Sequence, residues 1–250
     1  MPVQTRVIHY YVCLGAAGGK EWKVFMRRII YLITMLLIVS CAYKSTRIES
    51  YQTKKIIHLG PLLTLVNDRN KILDTWNTKL VQLPNGKQID QRVYPYLMRM
   101  IEDAKKEGCR IVIASAYRSN EKQISLYNTK YEFYLSQGYD RKTSEKKASQ
   151  WVSRPGTSEH QLGLSVDLVS YEYQLLDKKQ EETKEQKWLM NHCAEYGFIL
   201  RYPVSKRSYT HVNYEPWHYR YVGKEHAIEI MSKNLCLEEY LNIKYSQKTK

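Results

Sequence analysis

The pattern of polar and apolar positions changes three times along the chain. Residues 29–39, IIYLITMLLIV, form a nearly continuous apolar run broken only by Thr34, and a polar, basic stretch without periodicity follows to about residue 60. Beyond it, helical and strand spacings mix. A weak apolar segment over 62–66 meets the turn signal Asn67-Asp68, and Pro84-Asn85-Gly86 marks a second turn. From Tyr94 the spacing predicts a helix with Leu97, Met100, Ile101 and Ala104 on one face, stopped at Gly108. Arg110–Ala116, RIVIASA, reads as a strand. Ser119 can cap a second helix that places Ile124, Tyr127, Tyr131 and Leu135 on one face and ends at Gly138. Leu162–Val169 alternates as a strand, with Leu164, Val166 and Leu168 on one side and Ser165 and Asp167 on the other. A helix carrying Trp188, Leu189, His192, Cys193 and Tyr196 ends at Gly197. Phe198–Tyr202 and Thr210–Tyr221 read as strands, and a last helical stretch covers about Lys224 to Leu241. Strands and helices without a strict βαβ rhythm predict an α+β fold with an antiparallel sheet.

The apolar run is eleven residues long. A membrane-spanning helix needs ~20, so the run fits the hydrophobic part of a signal peptide. Arg27 and Arg28 precede it, and Ile38-Val39-Ser40-Cys41 closes it. That order resembles a bacterial lipoprotein leader with Cys41 as the lipidated residue. Met26 would start such a leader, leaving residues 1–25 as an extension or the product of a start assigned too early. An uncleaved membrane anchor is the alternative. The expected organisation is a leader over 1–41, a basic tether over 42–60 and one domain over 61–245, exported and held at the bacterial cell membrane.

Composition adds less. The chain has 250 residues, 22 of them Tyr against 3 Phe, so many core aromatics must find a partner for a hydroxyl. A formal charge of +14 favours acidic partners without choosing among them. No basic run interleaved with aromatics and no nucleic-acid module is visible, so nucleic acid is not an expected partner. None of the five cysteines has C-x-x-C spacing, which leaves a Cys-rich zinc site unsupported.

Three segments concentrate the chemistry: Ser115–Ser119, Ser158–Asp167 and Glu215–Arg220. A catalytic zinc takes three protein ligands and leaves one position open. His160, Asp167 and His218 would supply two imidazoles and a carboxylate, leaving Glu215 to accept a proton. Asp167, inside an apolar strand, needs either a cation or a neighbouring arginine to be buried.

SAYRS (115–119), SEHQLGLSVD (158–167) and EPWHYRYVG (215–223), with YGFILRYP (196–203) between, resemble the VanY-type D-alanyl-D-alanine carboxypeptidases and the related LD-carboxypeptidases. The resemblance runs from about Leu62 to Leu241. It implies a small antiparallel sheet flanked by helices, of the Hedgehog/D-Ala-D-Ala-peptidase kind. It implies zinc on His160, Asp167 and His218, Glu215 as catalytic base, and Arg118 as a substrate-binding and transition-state-stabilising cation. Ser158 and Gln123 become candidate substrate contacts. Two residues depart from the family pattern: Thr157 before SEH, and His211, where glycine is frequent. His211 puts an extra imidazole near the site and is an alternative ligand.

The implied reaction removes C-terminal D-alanine from peptidoglycan stem peptides, with the choice between DD and LD substrates open. A monomer is expected. The rival reading is a non-catalytic zinc-containing module that binds the cell wall. Glu215 argues against it, because binding alone needs no base three residues before a ligand.

Overall fold

The computed structural model describes residues 24–36 and 60–248. Residues 24–36 form a helix, α1, within the unit Met1–Lys55. No described helix is long and apolar enough to cross a membrane. Arg27 and Arg28 lie in α1, whereas Cys41 falls outside the described residues.

The second unit, Ile56–Lys250, carries two sheets. β1 (Leu80–Gln82) and β2 (Gln88–Asp90) pair antiparallel around the Pro84-Asn85-Gly86 turn. Gly86 sits at φ 82°, and the Asn85 amide donates to the Ile113 carbonyl at 3.0 Å, fastening the hairpin to the main sheet. That main sheet has four antiparallel strands: β3 (Ile111–Ser115), β4 (Ser165–Ser170), β5 (Phe198–Leu200) and β6 (His218–Tyr221), in the order β3-β4-β6-β5. The α+β expectation is met, with helices α2 (Tyr94–Lys106), α3 (Asn120–Ser136), α4 (Arg141–Ser149), α5 (Lys184–His192), α6 (Arg207–Thr210), α7 (Lys224–Ser232) and α8 (Leu237–Lys248) around the sheet.

The alternation in β4 sorts as the period-2 pattern requires. Leu164, Val166 and Leu168 pack in the core with Leu97, Met100 and Ala104 of α2 and Trp188 and Leu189 of α5. Ser165 and Asp167 share the opposite face, yet they are buried as well. Register places Ser165 opposite Arg220, and Asp167 opposite both His218 and, past an irregularity in β3, Ser115. One face of the sheet is therefore apolar, and the other carries a buried polar floor of Ser165, Asp167, His218 and Arg220, flanked by Val169 and Ile199. A second cluster, Leu63, Ile199, Val222, Ile230, Leu237 and Tyr240, packs α7 and α8 against β5.

Three expectations need correcting. The predicted apolar face of α3 is not a core face: Ile124 is exposed and Tyr127, Tyr131 and Leu135 are only half-buried. The fully buried residue there is Gln123. α3 packs chiefly on α4, a charged helix with no apolar stripe to announce it, started by an Asp140 side chain that accepts from the Thr143 backbone N–H. Thr210–Tyr221 is not one strand. Its first part belongs to the helical turn α6, which ends at His211 in the left-handed region, and only His218–Tyr221 pairs. The last helix divides into α7 and α8 at a bend where Asn234 takes φ 49°.

Candidate metal centre

The sheet register builds most of the site. Asp167 and His218 are cross-strand neighbours on the polar floor, and His160 enters from a short 3-10 helix, Glu159–Leu162, that precedes β4. That helix ends at Gly163, φ 73°, where an added Cβ would come within 3.0 Å of the Thr78 hydroxyl and 3.2 Å of the Asp90 backbone nitrogen. Only glycine suits both the backbone and the close approach.

One donor atom from each of His160, Asp167 and His218 lies within 4.8 Å of the others. His160 Nδ1 donates to the Ala116 carbonyl at 2.7 Å. This leaves Nε2 with its lone pair turned towards Asp167 Oδ1, 3.3 Å away. His218 Nδ1 lies 3.1 Å from the same oxygen. A lone pair and a carboxylate oxygen face each other favourably only across a cation. Two nitrogens and one oxygen are a donor set that suits zinc. The electrostatics agree. Burial, reinforced by Arg118, lowers His160 to about 4 and keeps it a neutral ligand. Burial would keep His218 neutral too, but the Asp167 and Glu159 carboxylates at its two nitrogens outweigh it and push it up to about 9. Against burial, His160, His218 and Arg118 hold Asp167 well below the usual carboxylate range. The pocket is built around positive charge.

Glu215 stands beside this trio, 3.8 Å from His218 Nδ1. Burial pushes its carboxyl up to about 8, with Asp167 and Glu159 adding repulsion and His218 and Arg118 opposing. Arg118 answers the second half of the Asp167 question: its Nη2 donates to Asp167 Oδ2 at 2.8 Å and its Nε to the Ser115 hydroxyl at 3.0 Å. Asp167 thus has both a ligand geometry on one oxygen and an arginine on the other. Ser158 lines the same cavity of about 240 Å³ as Arg118, Glu215 and the trio. Gln123 does not. It is fully buried behind Arg118, donating to the Ser153 carbonyl at 2.7 Å and facing Arg118 Nη1 at 3.5 Å. His211 is not part of the trio. Its Nε2 accepts from Arg69 at 2.8 Å, in a neighbouring cleft.

The structure also brings in a residue that sequence reasoning passed over. Glu159 is 1% exposed and sits under His218. Its Oε1 accepts from Arg201 Nε and Arg220 Nη1, both at 2.8 Å, and its Oε2 lies 3.4 Å from His218 Nε2. Arg201 continues to Glu238 of α8 through two bonds of 2.9 and 2.7 Å. Arg220 caps the Leu62 and Thr64 carbonyls. Glu159 stays ionised although burial opposes it, because the two guanidiniums outweigh that cost. The only sequence signal was an acidic residue flanked by motif positions.

The family model VanY, D-alanyl-D-alanine carboxypeptidase, matches residues 86–224. The chain belongs to the VanY family. A D-alanyl-D-alanine carboxypeptidase of Enterococcus faecalis is 43% identical to this VanY-family chain over 181 residues, 72% of the chain and 65% of that relative. The chain thus spans just under two thirds of that relative's length. Among solved structures, VanYB in complex with D-alanine-D-alanine is 42% identical, with a TM-score of 0.68, covering 73% of this chain and 98% of that one. A vancomycin-resistance D,D-pentapeptidase VanY variant in complex with Zn(II) is also 42% identical, with a TM-score of 0.66 and coverage of 72% and 98%. The LdcB LD-carboxypeptidase is 33% identical, with a TM-score of 0.63 and coverage of 72% and 86%.

Proposed function

We propose that the domain is a zinc-dependent carboxypeptidase that removes the C-terminal D-alanine of peptidoglycan stem peptides, preferring D-alanyl-D-alanine ends. The observation that carries this reading is the buried His160–Asp167–His218 trio with a further carboxylate, Glu215, beside it but outside it. His160, Asp167 and His218 would hold a zinc ion, which would supply Lewis acidity and lower the pKa of a water at the site to about 7. The charge of that zinc would draw the Glu215 carboxyl down from its raised value of about 8, so that it can take the water's proton and deliver it to the departing amine of D-alanine. Arg118 is steadied by Asp167 and Ser115 and backed by Gln123, which acts through it. The N–H groups that these contacts leave on Nη1 and Nη2 are the donors for the developing oxyanion or for the substrate's terminal carboxylate. Ser158 contacts the bound peptide. Glu159 fixes the ring and tautomer of His218, as carboxylates behind metal-binding histidines commonly do.

The DD preference is supported by the 42% identity to two VanY structures, one in complex with D-alanine-D-alanine and one a D,D-pentapeptidase, against 33% to the LdcB LD-carboxypeptidase. Synthetic pentapeptides ending in D-alanyl-D-alanine and tetrapeptides ending in an L-residue followed by D-alanine test it directly. Faster release of D-alanine from the pentapeptide is the expected result. Exclusive turnover of the tetrapeptide would reverse the assignment.

We propose further that the domain works outside the cytoplasm, tethered through a lipid on Cys41. Cys41→Ser should move the protein from the membrane fraction to the soluble one. Mass spectrometry of the mature wild-type protein should find Cys41 modified; an unmodified thiol sinks this proposal.

A further inference from the structure

Next to the metal centre lies a second cleft of about 280 Å³, and the two cavities share Ser153, Tyr202 and Val212 as a common wall. Its lining is strongly cationic: Lys146 from α4, Arg154 from the segment after it, and Arg207 from α6, with Asp68 the opposing carboxylate. Among the described residues Lys146 and Arg207 make no ion pair, and Arg154 reaches only a half-exposed Glu145, at 3.8 Å. Unpaired cations that converge on a concavity, rather than spread over a convex surface, are suited to an anion from outside.

His211 supplies an independent observation. It lines this cleft at φ 58°, one of two non-glycine residues at positive φ among those described. A left-handed conformation costs an ordinary L-residue roughly 1–2 kcal/mol, and glycine would end α6 without that cost. The imidazole is instead held by Arg69, whose Nη2 donates to its Nε2 at 2.8 Å. Arg69, like Lys146 and Arg207, has no carboxylate partner among the described residues. The strained histidine thus holds a further positive charge, Arg69, beside the cleft. Strain of this kind points to a role beyond chain reversal.

We propose that this cleft is a substrate subsite that binds a carboxylate on the peptide N-terminal to the scissile bond. This rests on the carboxypeptidase reading. The residue released is small and C-terminal, so the rest of the peptide must run out of the metal-centre cavity. The wall of Ser153, Tyr202 and Val212 leads it into the cationic cleft. There Lys146, Arg154 and Arg207 provide charge-assisted hydrogen bonds, and Arg207 and Arg154 can bind a carboxylate through two parallel donors.

The test uses D-alanyl-D-alanine-terminated pentapeptides in which a Glu side chain is moved through the three positions upstream of the terminal pair, each compared with its Gln counterpart. Dissociation constants are measured on zinc-loaded, full-length Glu215→Gln protein, where cleavage is arrested, and turnover on the protein with Glu215 intact. At one position the acidic peptide should bind about tenfold more tightly than its amide, and the preference should shrink as salt rises. Adding Arg207→Gln and Lys146→Gln should bring the acid-to-amide ratio close to one. The subsite is refuted if wild-type residues show no acidic preference, if the double substitution weakens both peptides equally, or if no peptide binds. Acid-selective binding without turnover by the intact protein would retain the subsite and overturn the catalytic reading instead.

Discussion

Glu215→Gln is expected to keep the fold and the zinc while lowering hydrolysis of a D-alanine-terminated peptide by about 10²–10⁴-fold, the usual scale for removing a general base. The substitution preserves shape and hydrogen-bonding capacity but removes the group that can take a proton. The trio does not depend on Glu215: the donor atoms of His160, Asp167 and His218 lie within 4.8 Å of one another without it. Removing a buried acid that Asp167 and Glu159 repel also leaves no cation unpaired, since Arg118 keeps Asp167. Zinc content by metal analysis, thermal unfolding and kcat on one peptide separate the outcomes. Wild-type kcat in the variant rules out Glu215 as the base. An intact protein that binds zinc and wall fragments but cleaves no D-alanine-terminated peptide would instead identify a binding module.

Loss of the metal should be more severe. Chelation is expected to abolish turnover and added zinc to restore it. His160→Ala and His218→Ala should each lose bound zinc, because three protein ligands leave no redundancy at a site of this kind. Full occupancy in both variants would place the metal elsewhere. Glu159→Gln should produce a graded effect, weakening zinc affinity by about 10–100-fold, the range typical of a group behind a metal-bound histidine. It should also lower the melting temperature, since Arg220 loses its carboxylate partner and Arg201 retains only Glu238. Affinity is read by competition with a chelator of known strength. If stability falls while zinc affinity stays at the wild-type value, Glu159 supports the fold and does not position His218.

The sequence was most informative where local pattern and chemistry coincide. The β4 alternation placed Leu164, Val166 and Leu168 in the core and Asp167 on the opposite face, because a pleated strand cannot do otherwise. Ser119 caps α3 by accepting from the Lys122 backbone N–H, as a side-chain oxygen before a helical turn can. Motif letters, rather than periodicity, singled out His160, Asp167, His218 and Glu215. Pattern reading failed on α3 and α4, whose packing on each other rather than on the core leaves Ile124 exposed and Gln123 buried. It failed again at Thr210–His211, where a run that includes branched residues turns as a helix.

By itself, then, the sequence determined most of the strands and helices around the sheet, the face on which Asp167 stands and the set of residues able to hold a metal. These follow from the period of the backbone and from donor chemistry, both local. Only the tertiary structure decided which charges are neutralised and by what. Glu159 meets Arg201, His218 and Arg220 across 42, 59 and 61 residues of chain, and Arg201 meets Glu238 across 37. Read singly, each is an ordinary solvated charge. Burial makes an unpaired ion costly, so the paired arrangement exists only once the 3-10 turn, the two sheet strands and α8 have come together. The same is true of the cationic cleft, where Lys146 and Arg154 meet Arg207 and His211 only through the fold.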